Sequence, residues 1–207
     1  MVFQKDLTVQ FTIHDTLIVK TLVRWLALIF LKLVGWKAEG RKPDIAKYVM
    51  IAAPHTSNWD FVYVMCLAFI LRIKPLIMMK GTWFRWPLGF FFRWLGALPI
   101  DRSGSHNVVA QSIEAFHTHS RMVMMVPPSG TRKQVMYWKT GFYYIATGAH
   151  VPIVLGYLDY RRKAGGIGPI IHSTGNIEAD MKIIRNFYVD ITGKYPKKAS
   201  TALVLPE

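Results

Sequence analysis

The stretch YVMIAAPHTSNWDFVYVMCLAFIL, residues 48–71, decides the fold. Tyr48 to Ala53 is a short continuous apolar run ending at Pro54, which suits a strand buried on both faces. Phe61 to Leu71 is apolar and long enough for a buried helix, so the stretch reads as strand, loop and helix. The same alternation continues outward. Leu76 to Met79 reads as a strand, an aromatic helix surrounds Pro87 to Leu95, and Ala97 to Ile100 is another strand. Val108 to His119 has helical spacing and leads into Met122 to Val126, a third buried run. Lys139 to Ala149 reads as a helix closing at Gly148, and Pro152 to Tyr157 as a further strand. Alternating strands and helices with continuously apolar strands predict an α/β fold, with a mixed, largely parallel sheet flanked by helices.

The composition sets the class of partner. The chain has 207 residues, enough for one core and too few for two ordinary domains with a linker. It is 52% hydrophobic and only 18% charged, which excludes disorder and suggests that some surface meets lipid. Twenty-six Lys and Arg against twelve Asp and Glu leave a net charge of +14, a field that attracts polyanions. The single cysteine, Cys66, forbids an internal disulfide and any cysteine metal cluster, and its apolar neighbours make it a packing residue.

Thr16 to Val34 is the longest candidate for a membrane span, but Lys20, Arg24 and Lys32 interrupt it. On a helix these cations lie along one side, while Leu22, Trp25, Leu26, Ile29 and Leu33 cover the rest. That pattern predicts an amphipathic interfacial helix rather than a spanning one, with a core helix that has one wet edge as the other reading. Asp6 and Asp15, with no small-residue cleavage site after Val34, argue against a signal peptide. The expected organisation is a membrane-associating helix over residues 1–35 and a single α/β domain over 36–207. The expected location is the cytoplasmic face of a membrane, peripheral or monotopic, with an anionic surface as partner.

Four blocks stand out, of which the first three carry candidate chemistry and the fourth reads as a plain core strand. Pro54-His55-Thr56-Ser57-Asn58-Trp59-Asp60 puts a histidine in the strand-to-helix loop and a carboxylate in the first helical turn. With Ser57 as helix cap, Asp60 stands three residues in and can reach back toward His55. A carboxylate on one imidazole nitrogen fixes the tautomer and leaves the other basic, as deprotonation of a hydroxyl requires. The same residues also spell a plain Ser57-x-x-Asp60 capping box beside a histidine. Gly96-Ala97-Leu98-Pro99-Ile100-Asp101-Arg102 ends a strand with an acid and an arginine. Pro128-Ser129-Gly130-Thr131-Arg132 makes a turn after a buried strand, with glycine for close backbone approach and a guanidinium suited to phosphate. Val151-Pro152-Ile153-Val154 opens the last of these strands.

Taken in this order, the four blocks resemble those of the glycerolipid acyltransferase superfamily, specifically the bacterial 1-acylglycerol-3-phosphate acyltransferases. His55 and Asp60 match the family's histidine, four residues, aspartate. Gly96 with Ile100, Asp101 and Arg102 matches the second block, Pro128 with Gly130, Thr131 and Arg132 the third, and Val151-Pro152 the fourth. The resemblance spans about residues 48 to 158 and includes Lys80. It implies transfer of a fatty acyl group from acyl carrier protein or coenzyme A to a hydroxyl of a lysophospholipid-like acceptor. The thioester is a co-substrate, and no cofactor or metal is implied. His55 would be the general base and Asp60 its support. Lys80, Arg102 and Arg132, with Ser129, Gly130 and Thr131, would surround the acceptor phosphate. Where the family carries glutamate in its third block, this chain has Ser129, which cannot supply charge.

That departure opens a second reading, a catalytically silent membrane-bound adaptor on the same scaffold. A basic nucleic-acid-binding domain is a third, disfavoured because no such motif appears and the cations interleave with long apolar runs. His117 and His119 lack the companion ligands of a metal site and read as a surface pair at a helix end. Trp83, Phe84, Trp86, Phe90, Phe91, Phe92 and Trp94 crowd a segment with no acid between Phe61 and Ile100, resembling an interfacial belt. Tyr160-Arg161-Arg162-Lys163 reads as a solvated turn, with docking of an acidic carrier protein or of the phosphates of coenzyme A as its other reading.

Overall fold

The computed structural model describes residues 11–100 and 105–200. A seven-stranded sheet runs in the order β1-β7-β6-β2-β5-β3-β4. Its strands are β1 (Lys37–Glu39), β2 (Lys47–Ala53), β3 (Pro75–Lys80), β4 (Ala97–Ile100), β5 (Met122–Val126), β6 (Ile153–Asp159) and β7 (Ala164–Ile171). Five of them, β6, β2, β5, β3 and β4, are mutually parallel. The turn after Asp159 returns β7 antiparallel to β6, and β1 pairs parallel to β7 at the edge. The sheet is therefore mixed and largely parallel, in agreement with the sequence.

Burial on both faces explains the continuous apolar strands. Along β2, Val49 and Ile51 enter the larger core, formed with Phe116 of α4 (Ser105–Thr118), Phe142 and Ile145 of α5 (Gly141–Gly148), and Met181 and Ile184 of α6 (Ile177–Tyr188). Tyr48 and Met50 point the other way, toward Val64 of α2 (Trp59–Ile70). Outside α2 lies α1 (Leu17–Val34), where Leu31 packs with Trp36, Tyr63 and Leu67. Cys66 packs against this third cluster, and burial pushes its thiol pKa up, so no thiolate is favoured there. The aromatic segment forms a 3-10 turn at Gly81–Phe84 followed by α3 (Leu88–Trp94).

The edge strands β1 and β7, the 3-10 turn Pro196–Lys198 and α6 fall outside the sequence expectations; Asn176 caps α6 by accepting from the Ala179 amide at 3.0 Å. The first helix buries only Ala27 and Leu31. Ile18, Leu22, Trp25, Ile29 and Leu33 follow one another at helical spacing and stand exposed, Ile18 at 82%. Trp86, Leu88, Phe90 and Phe91 form a second exposed apolar group, on or beside α3, whose last residue, Trp94, accepts from the amide of Ile13 ahead of α1 at 2.6 Å. Among the described residues no helix is long and apolar enough to cross a membrane.

Candidate active site

Parallel pairing brings the first and third blocks to the carboxyl end of the strands, while Val151-Pro152 of the fourth enters β6 at the opposite end. Ile51 is opposite Val126 and Ala53 opposite Tyr157, so the loops after β2, β5 and β6 leave the sheet side by side. Lys80 pairs with Ile100 and closes β3 at this same end. Ligands of open α/β sheets bind beyond the carboxyl ends of the strands, and His55 and the turn at Pro128–Arg132 both lie there. Asp101 and Arg102 lie outside the described residues.

Asp60 organises the loop. Its Oδ2 accepts from the Thr56 amide at 2.7 Å and the Ser57 amide at 2.8 Å, and lies 3.2 Å from His55 Nδ1. The reach-back expected of a carboxylate in the first turn is thus present. The cap differs from expectation. Asn58 stands at the helix N-cap without a side-chain cap bond, while the Ser57 hydroxyl accepts from the Trp59 amide at 3.2 Å. A carboxylate only accepts, so Nδ1 carries the proton and Nε2 is left as the basic nitrogen.

The other carboxylate oxygen is held by a residue of the turn expected to be solvated. Tyr160 donates its hydroxyl to Asp60 Oδ1 at 2.7 Å. Its ring lies edge-on to Trp36 at 4.8 Å and to Tyr63 at 5.6 Å. The turn at Arg161 and Arg162 is exposed as expected, but Tyr160 is not a solvated residue. Burial would raise the Asp60 pKa, since only 3% of the residue is exposed. The bonds from His55, Tyr160, Ser57 and Thr56 outweigh it and hold the carboxyl below its ordinary value. For Tyr160, burial first and then the Asp60 charge push the phenol pKa up, keeping the hydroxyl a donor.

Beneath this pair lies a cavity of about 160 Å³ between α2 and the sheet. His55 and Asp60 stand at one end, and Leu71 and Ile73, past the other end of α2, stand at the opposite one. Met50, Val64, Ala68 and Met125 line the space between. Such a slot accepts a flexible apolar chain and brings its polar end to the histidine.

The third block forms the expected turn after β5. Gly130 has φ +64°, and a Cβ there would stand 3.2 Å from Lys139 Cε, so glycine fits both the backbone and the neighbouring cation. Ser129 is buried and donates its hydroxyl to the Thr131 carbonyl at 2.8 Å. Thr131 is half-buried and Arg132 exposed. Lys139, whose amide donates to the Pro128 carbonyl at 2.8 Å, is a cation of this turn that no local motif marks.

His119 corrects the reading of a surface histidine pair. It is buried, with Nδ1 2.8 Å from the Ala115 carbonyl, closing α4, while His117 is exposed. Among the described residues no group of three or more His, Cys, Asp or Glu is placed to hold a metal ion.

Comparison with known proteins agrees with this architecture. Residues 38–155 match the family model described as Acyltransferase. No curated protein sequence matches the chain. Among solved structures, the 1-acyl-sn-glycerophosphate (LPA) acyltransferase PlsC from Thermotoga maritima is similar in fold. Its TM-score is 0.54 and its identity 14%, over 84% of this chain and 82% of that one.

Proposed function

The chain belongs to the Acyltransferase family, and from that premise we propose that it moves a fatty acyl group from acyl carrier protein or coenzyme A to a hydroxyl of a lysophospholipid-like acceptor such as 1-acylglycerol-3-phosphate. The observation that carries this reading is His55, its Nδ1 engaged by Asp60, at the mouth of an apolar cavity. His55 Nε2 takes the proton of the acceptor hydroxyl, and the oxygen attacks the thioester carbonyl. The tetrahedral intermediate collapses, expelling thiolate, which recovers the proton from the imidazolium. Asp60 stabilises that imidazolium and fixes the ring's orientation, and Tyr160, Thr56 and Ser57 fix Asp60 in turn. The thioester is already activated, so the step needs no covalent enzyme intermediate.

Lys80, Arg102, Arg132 and the turn at Ser129, Gly130 and Thr131 are proposed to surround the acceptor phosphate, since Lys80 ends β3 and the turn follows β5 at the carboxyl end of the parallel strands, and Arg102 comes two residues after β4 in the sequence. The exposed stripe of α1 supports peripheral attachment to a membrane, which we propose to be an anionic surface on the cytoplasmic face. A silent adaptor on this scaffold is favoured by one observation, the Ser129 hydroxyl being engaged within its own turn. Incubation with radiolabelled acyl-thioesters and a panel of lysophospholipids decides between them. Product formed by the full chain and lost in His55→Ala is expected. A full chain inert with every pair would leave the adaptor reading.

A further inference from the structure

The cations of α1 do not all face solvent. Lys20 and Arg24 are half-buried and line a cavity of about 440 Å³ together with Arg72, which follows the C-terminal end of α2. From Asp60 to Arg72 the chain runs about 18 Å along that helix axis, at about 1.5 Å per residue, so this cavity is remote from the His55 mouth.

Its chemistry is that of an anion site. No carboxylate is among its described lining residues. Lys74, also at the wall, pairs with Asp15 at 2.5 Å, which leaves Lys20, Arg24 and Arg72 as the cavity's charges with no ion pair among the described residues. Arg24 Nε is buried without a hydrogen-bond partner among the described residues, and so is Nε2 of His14, whose ring stacks on Phe69 at 4.2 Å. A buried guanidinium donor without an acceptor is costly unless something fills the space before it. Arg72 adds an independent signal. It occupies the position after the helix C-cap with φ +57°, where glycine is the relaxed choice. An arginine there keeps its charge at the cavity at the expense of backbone ease.

The membrane is the source of anion that the location favours. Trp25 and Leu28 line the same cavity, and Trp25 also belongs to the exposed apolar stripe of α1. We propose that this cavity is a non-catalytic site for the phosphate of an anionic phospholipid headgroup, held by Arg24 and Arg72 with Lys20 as the third charge. The lipid's chains would lie along the α1 stripe, so the site rests on the membrane attachment proposed above.

The test uses the full chain with phosphatidylcholine vesicles carrying phosphatidylglycerol, and calorimetric titration with soluble dihexanoyl-phosphatidylglycerol or inorganic phosphate. Arg24→Gln and Arg72→Gly should each weaken both lipid interactions about tenfold or more, while Lys32→Gln, an equal charge change on α1 outside the cavity, should weaken them less than about twofold. Arg72→Gly should melt no lower than the parent, because glycine relieves the backbone. Inorganic phosphate should bind about tenfold more weakly than the soluble lipid. Equal losses in Lys32→Gln and Arg24→Gln would mean a diffuse field and overturn the site. Soluble-lipid binding untouched by Arg24→Gln and Arg72→Gly would place that lipid elsewhere, and phosphate binding as tight as lipid would remove the lipid assignment. If the parent fails to sediment with vesicles yet binds the soluble lipid through Arg24, the attachment fails and the site stands.

Discussion

Tyr160 and Asp60, a hundred residues apart in sequence, meet in a 2.7 Å hydrogen bond that completes the carboxylate's set of partners behind His55. The contact exists because β6, which Tyr160 follows, lies directly beside β2, which His55 follows. Tyr160 touches no reacting atom in this scheme and acts through Asp60. Its strongly aromatic surroundings, Trp36 and Tyr63, hold the phenol in place.

Tyr160→Phe keeps the ring packing and removes the hydroxyl. One oxygen of a buried carboxylate then loses its donor, a loss of about 2 kcal/mol in stability. Acyl transfer should show kcat reduced about tenfold with KM nearly unchanged, because the loosened carboxylate supports the imidazolium less well in the transition state. Steady-state kinetics beside a melting curve will separate the two effects. An unaltered kcat in a destabilised protein would make Tyr160 purely structural.

Asp60 also sets an acid limit on stability. Its pKa is depressed in the folded protein, so the unfolded chain binds a proton more readily. The stabilisation is complete above the ordinary carboxylate pKa of about 4 and is lost as pH falls through the lowered value. Denaturant unfolding stepped from pH 6 to pH 2.5 should therefore show a steeper acid decline in the parent than in Asp60→Asn. At pH 7 the same variant should lose about 10³-fold or more in kcat, since asparagine neither stabilises an imidazolium nor enforces the tautomer. Identical acid slopes in the two proteins would show that the bonds to Asp60 carry no linkage.

The exposed stripe of α1 predicts a clean loss of membrane binding. Trp25→Glu combined with Ile29→Glu puts charge where both side chains already face outward, at little expense to folding. Sedimentation with anionic vesicles should fall by about tenfold or more while the circular dichroism spectrum is retained. Undiminished sedimentation would assign attachment to another surface.

The sequence displays the site better than it displays the edges of the sheet. β4 and β5 coincide with the runs at 97–100 and 122–126, because strands buried on both faces are uniformly apolar between turn residues. β7 has no such signature. Its sequence AGGIGPII has few side chains to pattern, and its pairing with β6 shifts register between Val154 and Gly156. Glycine is required there by proximity, since a Cβ on Gly166 would collide with the Glu39 carbonyl of β1. The apolar stripe Ile177, Met181, Ile184 and Tyr188 of α6 is present in the sequence, but it lies beyond the four blocks. His55 with Asp60 is legible because both belong to one loop and one helical turn. Tyr160 is not, because only the strand order brings it there.

Gly193 tests how closely the C-terminal segment supports the histidine loop. A Cβ at this buried position would stand 2.9 Å from Thr56 Cγ2 and 3.2 Å from Pro54 Cγ, and the Tyr195 amide donates to Thr56 Oγ1 at 3.3 Å. Gly193→Val must therefore push the loop that carries His55. Expected are a loss of about 1–3 kcal/mol, as for overpacking elsewhere, and a fall in kcat larger than that of a distant variant of equal stability. The matched comparison is the measurement that counts, and equal kcat in the two would detach this segment from the site.

Ser129 is the position where the proposed acceptor chemistry can be pressed hardest. Its hydroxyl donates to the Thr131 carbonyl, and a glutamate cannot make that bond, because carboxylate and carbonyl are both acceptors. In Ser129→Glu the side chain must leave its buried place for the space beside the exposed Arg132, where its charge competes with a substrate phosphate. Ser129→Ala, which loses the bond without adding charge, isolates the effect of the turn and should cost about 1 kcal/mol in stability. Against a panel of acceptors, Ser129→Glu should shift preference toward those without a phosphate near the reacting hydroxyl, whereas Ser129→Ala should lower all of them by a common factor. A parent inert on every acceptor, with Ser129→Glu active on lysophosphatidic acid, would instead show that this serine abolishes activity, and the chain would stand as an adaptor on the acyltransferase scaffold.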